Sequence, residues 1–550
     1  MFFQRFNKWL LWAAIMTVSA SALAQEKGQL SGNFQMNTRF YERDSTRGAY
    51  GTPFYEYLFY GADSWLNLNY RISGFDIGIR FDGFLNSQLI NPVRETNAAA
   101  IGRWYVTKDI DKLRVSVGYL YDQFGSGLIY RSFENRPLGI DQSLFGASVT
   151  YKLNNNWQIK GTTGRLKRQL NPDQTTVELY KPVIKGINLE GYVAVNEKVS
   201  LSPGIAALGR TMDSKTMQGL ATEINSYVDS SKRFVPNYNT YAFNLYNNLN
   251  VGNFSWYIEG ALKTKDVLRD VAGTLIQPKH GYVVLQNLGY TRKGLGILLQ
   301  TRYIKSFDMR TSPNETFNQG LLNFMPPLAR QNSSRLLARY APATQLLGEM
   351  AIQADVTYTP KKGLTFNANY SLLENLDRER LYNEIYVDCE IKPLKKKYKM
   401  TVGVQSLDYN RFVYQQKEGF VNSLTPFVDF SYKLNKKTAI KSELSYMITK
   451  RDVRLFGKED PHPDQLQDFG DWAWAMVELT VAPHWAFSAS DMYTIGKDIH
   501  YPTFAAFFTQ KASRFGVTYT KQPEGIVCTG GVCRFEPAFS GVKIDVTSSF

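Results

Sequence analysis

Apolar and polar residues alternate along most of the chain, in short segments separated by turns. Because successive side chains of a β-strand point to opposite faces, this alternation predicts strands with one apolar face and one polar face. We count about 24 such segments, which predicts one repeated all-β architecture. They lie near residues 30–40, 65–72, 75–85, 101–107, 113–121, 145–153, 157–165, 187–195, 199–207, 240–251, 254–264, 281–291, 295–304, 351–359, 364–372, 384–391, 398–406, 425–434, 438–448, 472–481, 487–493, 502–510, 514–521 and 542–550.

Short and long connections alternate between these segments. Tight turns rich in Gly, Asn, Pro and Lys, such as Ser73-Gly74 and Gly252-Asn253, join every other pair. Long connections such as 41–64, 122–144 and 305–350 join the rest. Outer-membrane β-barrels have this asymmetry, with short periplasmic turns and long outer loops.

The last nine residues end the chain as a barrel strand would. Val542 and Ile544 fall on one face, and Lys543 and Asp545 fall on the other. The chain stops at Phe550. Barrel-insertion machinery commonly recognises a terminal Phe, so we interpret Phe550 as an insertion signal and expect that machinery as a partner.

The N-terminus indicates export from the cytoplasm. Arg5 and Lys8 precede an apolar stretch that ends at the small-residue cleavage site Ala22-Leu23-Ala24. That stretch is shorter than the roughly 20 apolar residues needed to cross a bilayer. We expect a signal peptide over residues 1–24 and a single barrel domain over 25–550.

Composition agrees with a membrane barrel. Aromatic residues make up 14% of the chain, while the mean hydropathy is −0.31, because polar residues alternate with the apolar ones. We predict an all-β fold, a large transmembrane antiparallel barrel of about 24 strands (about 22 to 26), in the outer membrane of a Gram-negative cell and in contact with its lipid. A secreted multi-domain β-protein is the alternative.

The net charge of +15 leaves two interpretations open. The excess could line a lumen that favours anionic solutes, or it could decorate turns and rims beside anionic lipid headgroups, as in Lys395-Lys396-Lys397. We favour the rims. Nucleic acid is not expected as a partner, because there is no clustered basic domain.

Two of the three cysteines, Cys528 and Cys533, lie close together in the last long connection. In an oxidising compartment they are candidates for a disulfide across that loop. Two free thiols or half of a metal site are the alternatives, but no His is near in sequence. We predict no metal and no cofactor.

The connection 122–144 is unusual for an exposed loop. It combines many apolar residues and glycines with charged residues that can pair among themselves, namely Arg131, Glu134, Arg136 and Asp141. We expect it to fold inward and partly plug the lumen, because side chains alone cannot fill a barrel of this size.

The connection 305–350 is the second candidate plug loop, with Arg330 and Glu349 as further lumen residues. The alternative for both loops is that they cap the outer rim.

Three longer motifs resemble a known family. The runs 121–141, 323–349 and 528–538 are similar to those of a family of Bacteroidota outer-membrane barrels catalogued as DUF6029. The resemblance covers most of the chain. It implies a barrel in the cell envelope and no established activity.

Catalytic motifs are weak throughout. Gly125-Ser126-Gly127 lacks the Lys and Ser or Thr of a phosphate loop, and there is no Gly-x-Ser-x-Gly or His-Glu-x-x-His. We therefore predict a plugged or gated channel or transport protein for an unidentified solute, and not an enzyme. A structural or assembly component of an envelope complex is the alternative, and an embedded lipid hydrolase comes third.

Overall fold

The computed structural model describes residues 28–89, 94–168, 177–277, 280–315, 319–393, 396–417, 419–449, 470–529 and 532–550. Within these ranges, 24 strands form one closed antiparallel sheet, so the predicted fold and strand number are confirmed. Each strand pairs with its neighbours in the chain, and β8 is interrupted once. The strands are β1 (Gln29–Tyr41), β2 (Tyr60–Ile72), β3 (Phe75–Ser87), β4 (Thr96–Ile110), β5 (Leu113–Leu120), β6 (Leu144–Lys152), β7 (Trp157–Leu166), β8 (Val183–Gly191 and Val193–Asn196), β9 (Val199–Thr211), β10 (Asn239–Val251), β11 (Phe254–Lys263), β12 (Gly281–Arg292), β13 (Leu295–Lys305), β14 (Gly348–Lys361), β15 (Leu364–Glu374), β16 (Arg380–Ile391), β17 (Tyr398–Asn410), β18 (Phe420–Lys433), β19 (Thr438–Met447), β20 (Trp472–Val481), β21 (Trp485–Thr494), β22 (Ile499–Gln510), β23 (Ser513–Gln522) and β24 (Phe539–Ser549).

The first and last strands close the barrel. In the β1–β24 register Arg39 lies opposite Lys543. At the chain end, Gly32 and Phe550 exchange two backbone hydrogen bonds, of 2.8 and 3.0 Å. In the described part of the chain, closure pairs both edges of the barrel sheet, which is the condition for placing a sheet in hydrocarbon.

The two faces of the sheet differ as the alternation predicts. On β9, Ile205 is 54% exposed on the outer face, while its neighbours Ala206 and Leu208 are buried on the inner face. On β10, Leu245 is 65% exposed, and Ala242 is buried on the inner face. The outer face is therefore apolar and open, as a lipid-facing wall requires.

The strands extend further toward the long loops than the alternation indicates. β2 begins at Tyr60 and β4 at Thr96, each several residues before the predicted start. The added stretch Gly61-Ala62-Asp63-Ser64 mixes small and charged residues, so it lacks the pattern of a lipid-facing strand. Backbone pairing with β1 and β3 nevertheless continues the sheet through this stretch.

The long connections carry small elements of their own. Asp213 caps helix α1 (Ser214–Asn225) by accepting from Thr216 N at 3.1 Å, and α2 spans Arg411–Gln415. No helix within the described ranges is long and apolar enough to cross a membrane. Further helical turns lie at Ser45–Arg47, Phe54–Leu58, Arg136–Leu138 and Ser230–Lys232, and short paired strands at Asp122–Gln123 with Arg131–Ser132, Glu134–Asn135 with Ile140–Asp141, Leu268–Arg269 with Leu275–Ile276, and Gly525–Thr529 with Val532–Glu536.

Candidate lumen site

Loop A, defined as residues 121–143 between β5 and β6, packs against the inner face of the wall. Its residues Phe124, Leu128, Ile129 and Tyr130 are at most 2% exposed. Burying each of these side chains contributes about 1.5–3 kcal/mol relative to leaving it in water. The same cluster contains wall residues of the inner face, namely Ala206, Leu208, Ala242, Val283, Leu285 and Ile304.

A buried carboxylate of the wall receives the tip of loop A. Glu259 on β11 accepts a hydrogen bond from the Ser126 backbone N–H at 2.9 Å. The same carboxylate accepts from Asn244 at 2.5 Å and from the Tyr257 hydroxyl at 2.6 Å. Gly125 has φ +54°, and a Cβ there would lie 2.5 Å from Glu259 Oε1, so the close approach depends on glycine.

A cluster of five charged side chains binds the base of loop A to the wall. Arg80 of β3 reaches Asp82 at 2.5 Å, Glu134 at 2.6 Å and Asp141 at 2.5 Å. Lys167, just after β7, contacts Asp141 at 2.6 Å. The three wall side chains are only 3% exposed, so these charges are removed from bulk water and paired.

The charge state of Asp141 follows from this cluster. Burial alone would raise the pKa of Asp141, but Lys167 and Arg80 outweigh burial and hold that pKa well below its usual range. The Tyr121 hydroxyl also donates to Asp141 at 2.8 Å. Asp141 is therefore an ionised carboxylate under ordinary conditions.

The other two predicted charged residues of loop A behave differently from each other. Arg136 pairs with Glu134 at 2.8 Å and donates to Gln35 of the wall at 3.2 Å. Arg131 lies instead over the Phe324 ring, with its guanidinium carbon 4.0 Å from the ring centre. The predicted mutual pairing is thus seen for Glu134 and Arg136, whereas Arg131 contacts an aromatic ring of the next loop.

Loop B, defined as residues 306–347 between β13 and β14, joins loop A directly. The Arg131 N–H donates to Leu322 O at 2.7 Å, and the Phe324 N–H donates to Gly127 O at 3.0 Å. Loop B is shorter than the predicted connection 305–350, because β13 ends at Lys305 and β14 begins at Gly348.

Glu349 therefore belongs to the wall, where it anchors loop B. It pairs with Arg302 at 2.7 Å, and both side chains are at most 2% exposed. Its second oxygen accepts from the Gln345 N–H at 2.9 Å. Arg302 also donates to Thr344 at 3.0 Å and to the Pro326 carbonyl.

Arg330 of loop B lies on the inner face of β16. Its guanidinium carbon is 3.8 Å from the centre of the Tyr386 ring, and a terminal nitrogen is 3.9 Å from Asp388. Its Nε donates to Asn332 at 3.2 Å. The predicted lumen residue thus contacts the wall through an aromatic ring and an acid.

A second buried charge cluster holds loop B. Arg210 of β9 pairs with Asp266 at 2.6 Å and donates to Arg310 O at 2.7 Å. Lys263 donates to Asp308 O at 2.6 Å. Burial would raise the pKa of Asp266, but the positive charges of Arg210 and Lys263 more than offset burial. The pKa of Asp266 is therefore lower than its usual value.

Sequence reasoning identified the loop side of these contacts and missed the wall side. Arg80, Lys167, Arg210 and Arg302 were not predicted as site residues. A signal was present in Arg80 and Asp82, which are two residues apart in an alternating strand and therefore share the inner face. Long basic side chains on an inner face indicate a partner in the lumen.

The backbone positions of Cys528 and Cys533 agree with the predicted disulfide. In the hairpin of the last long connection, Cys528 lies directly opposite Cys533. Directly opposed residues are close enough for a cross-strand disulfide. The bond itself stays a prediction.

Comparisons with known proteins identify the family of the chain. The profile of a family described as "Family of unknown function (DUF6029)" matches residues 5–550, which confirms the resemblance. A search of curated proteins returned no match.

Solved structures of similar shape include a chain of the Escherichia coli P pilus tip assembly intermediate PapC-PapD-PapK-PapG, with TM-score 0.43, 9% identity and coverage of 97% of this chain and 62% of that chain. The present protein thus spans about three fifths of that chain. Another is the siderophore receptor PirA from Pseudomonas aeruginosa, with TM-score 0.39, 8% identity and coverage of 96% and 81%.

Proposed function

The chain belongs to the DUF6029 family, and we propose that it is an outer-membrane barrel that works as a plugged, gated channel or transport protein. The description of the family assigns no activity, so the proposal rests on the geometry of the lumen. Loops A and B act as the plug. The signal peptide over residues 1–24 and insertion through Phe550 are part of this proposal.

The observation that carries the proposal is the charge cluster around Arg80. A loop that only capped the rim would not need buried ionic contacts deep in the wall. Breaking a buried pair by removing one partner costs about 3–5 kcal/mol, so this anchor fixes the resting position of loop A. An anchor made of a few ionic contacts can also be released as a unit, which suits a gate.

Loop A can be removed cleanly. Leu120 and Leu144 are directly opposite in the β5–β6 register, so a two-residue Asn-Gly turn can replace residues 121–143. Proteoliposomes that contain this variant should admit small sugars, and liposomes with the wild type should admit them slowly or not at all. Equal, negligible uptake by both proteins would contradict the transport function.

The matched control removes a connection outside the lumen clusters. Thr211 and Asn239 are also directly opposite, so the same turn can replace residues 212–238, which carry α1. This variant should stay as impermeable as the wild type.

One observation favours the structural or assembly role as a second function. On the long-loop side, Val228 is 99% exposed, Val271 97%, Val235 83% and Phe412 70%. Exposed apolar side chains on outer loops are a surface that a protein partner could cover. Gentle detergent purification would test this role, because Val228→Ser and Val271→Ser should remove a co-eluting chain without changing sugar uptake.

A further inference from the structure

A cavity of about 830 Å³ lies at the long-loop end of the lumen. Parts of several outer connections line it, including residues 46–50, 330–341 and 494–499. We call this cavity the vestibule. Its volume is in the range of roughly 300–1,000 Å³ that accommodates small organic ligands.

The charged side chains that line the vestibule are mainly basic. Glu524 is the acid among the described lining residues. The basic residues are Arg47, Arg330, Arg335, Arg339, Lys417 and Lys497. A cleft lined by one sign of charge, with protein walls, focuses its field and concentrates ions of the opposite sign.

Protein groups hold part of this basic set. Arg47 pairs with Asp44 at 2.8 Å. The guanidinium of Arg339 lies 3.8 Å from the centre of the Trp472 ring, which fixes its position at the wall. These contacts keep arginines oriented before any ligand arrives.

Arg335 and Lys417 are different, because both side chains are exposed within the vestibule. Neither makes a side-chain hydrogen bond or ion pair with the described part of the chain. The like charge of Arg339 acts on Arg335, so an anion between these two arginines would relieve their repulsion.

We propose that the vestibule binds small organic anions that carry two or more negative charges on carboxylate or phosphate groups. Arginine forks match both groups in geometry, and Lys417 adds a point charge. This inference rests on the proposed function, since it names the class of solute that would meet the plug from the outer side.

The test is calorimetric titration of the full-length protein in detergent with citrate and, separately, with pyrophosphate. Arg335→Gln with Lys417→Gln should weaken binding by about tenfold, which corresponds to about 1.4 kcal/mol. The control is Arg292→Gln with Lys293→Gln, which removes the same two charges from an exposed turn on the opposite rim and should leave the affinity unchanged. Citrate binding alone assigns carboxylates, and pyrophosphate binding alone assigns phosphates.

Two results would overturn the inference: no binding of either probe by the wild type, or equal affinity of the wild type and the Arg335/Lys417 variant. The assay needs no membrane, so its failure is distinct from failure of the transport function. A protein that binds citrate but stays sealed after loop A is replaced contradicts transport and keeps the anion site. A barrel that opens but binds neither probe contradicts the anion site alone.

Discussion

Arg80 on the barrel wall donates from Nη2 to Oδ2 of Asp141 in loop A at 2.5 Å, although 61 residues separate them in the chain. The contact joins the inner face of β3 to the far end of the loop. Lys167 approaches the same carboxylate oxygen at 2.6 Å. One carboxylate thus ties the loop to two separate parts of the wall.

Asp141→Asn should release the base of loop A. The substitution keeps the shape of the side chain but leaves Arg80 and Lys167 with less compensating charge in a buried place, which we expect to cost the anchored state about 3 kcal/mol. Limited proteolysis of the protein in liposomes should then cut within residues 122–144 much faster than in the wild type.

The control for this substitution is Asp109→Asn. Asp109 pairs with Arg114 at 2.6 Å, but both side chains are more than half exposed, so the pair contributes about 0–1 kcal/mol. Its proteolysis pattern should match the wild type. Equal cutting of the two variants would show that the Asp141 contacts do not hold the loop.

Gly125→Ala should displace the tip of loop A. The new Cβ would meet Glu259 Oε1 at 2.5 Å, in addition to the strain of φ +54°. Gly51→Ala is the matched control, because Gly51 has φ +71° and no atom within 4 Å of the new Cβ. We expect protease protection of loop A to fall several-fold in Gly125→Ala only. A similar loss in both variants would mean that the close approach of Gly125 to Glu259 is not what protects loop A.

Acid should loosen loop A. The pKa of Asp141 is lowered in the folded protein relative to about 3.9 in an unfolded chain. The stabilisation that ionised Asp141 gives to the anchored loop is therefore complete above about pH 4. It is lost as the pH falls through the lower pKa that Asp141 has in the folded protein. Protease protection, measured with an acid-active protease, should hold at pH 5 and decline below pH 4, and the decline should be smaller in Asp141→Asn. Loss of protection near pH 6 would point to other groups.

Cys528 and Cys533 should form a disulfide in the exported protein. They lie directly opposite each other in the hairpin, and strand residues so placed are close enough for the bond. Alkylation of the denatured, unreduced protein should then label Cys389 of β16 alone, and reduction should add two labels. Three labels before reduction would exclude the bond.

The strands were predictable because lipid on one side and a protein-filled lumen on the other impose alternation on every wall segment. The strand ends toward the loops were not, since Gly61 to Ser64 continue the sheet by backbone pairing although their side chains do not alternate between apolar and polar. The contacts of loop A could likewise be predicted only in part. Its composition indicates burial, but the partner Arg80 becomes identifiable only when the barrel closes, because pairing across 61 residues leaves no local pattern.

The positions of the basic residues could also be predicted only in part from the sequence. The sequence favours basic residues at turns and rims, and many lie there. Arg335 and Lys417 nevertheless both line the vestibule, although they come from separate outer connections. Composition records the excess of positive charge but not its location.

The central claim is that loop A closes the lumen of a membrane-spanning barrel. Single-channel recording in planar bilayers tests it most directly, with the wild type, the variant in which an Asn-Gly turn replaces residues 121–143, and the control that lacks residues 212–238. We predict a large, steady conductance for the first variant and small or rare openings for the other two proteins. A first variant that conducts no better than the wild type would contradict the account.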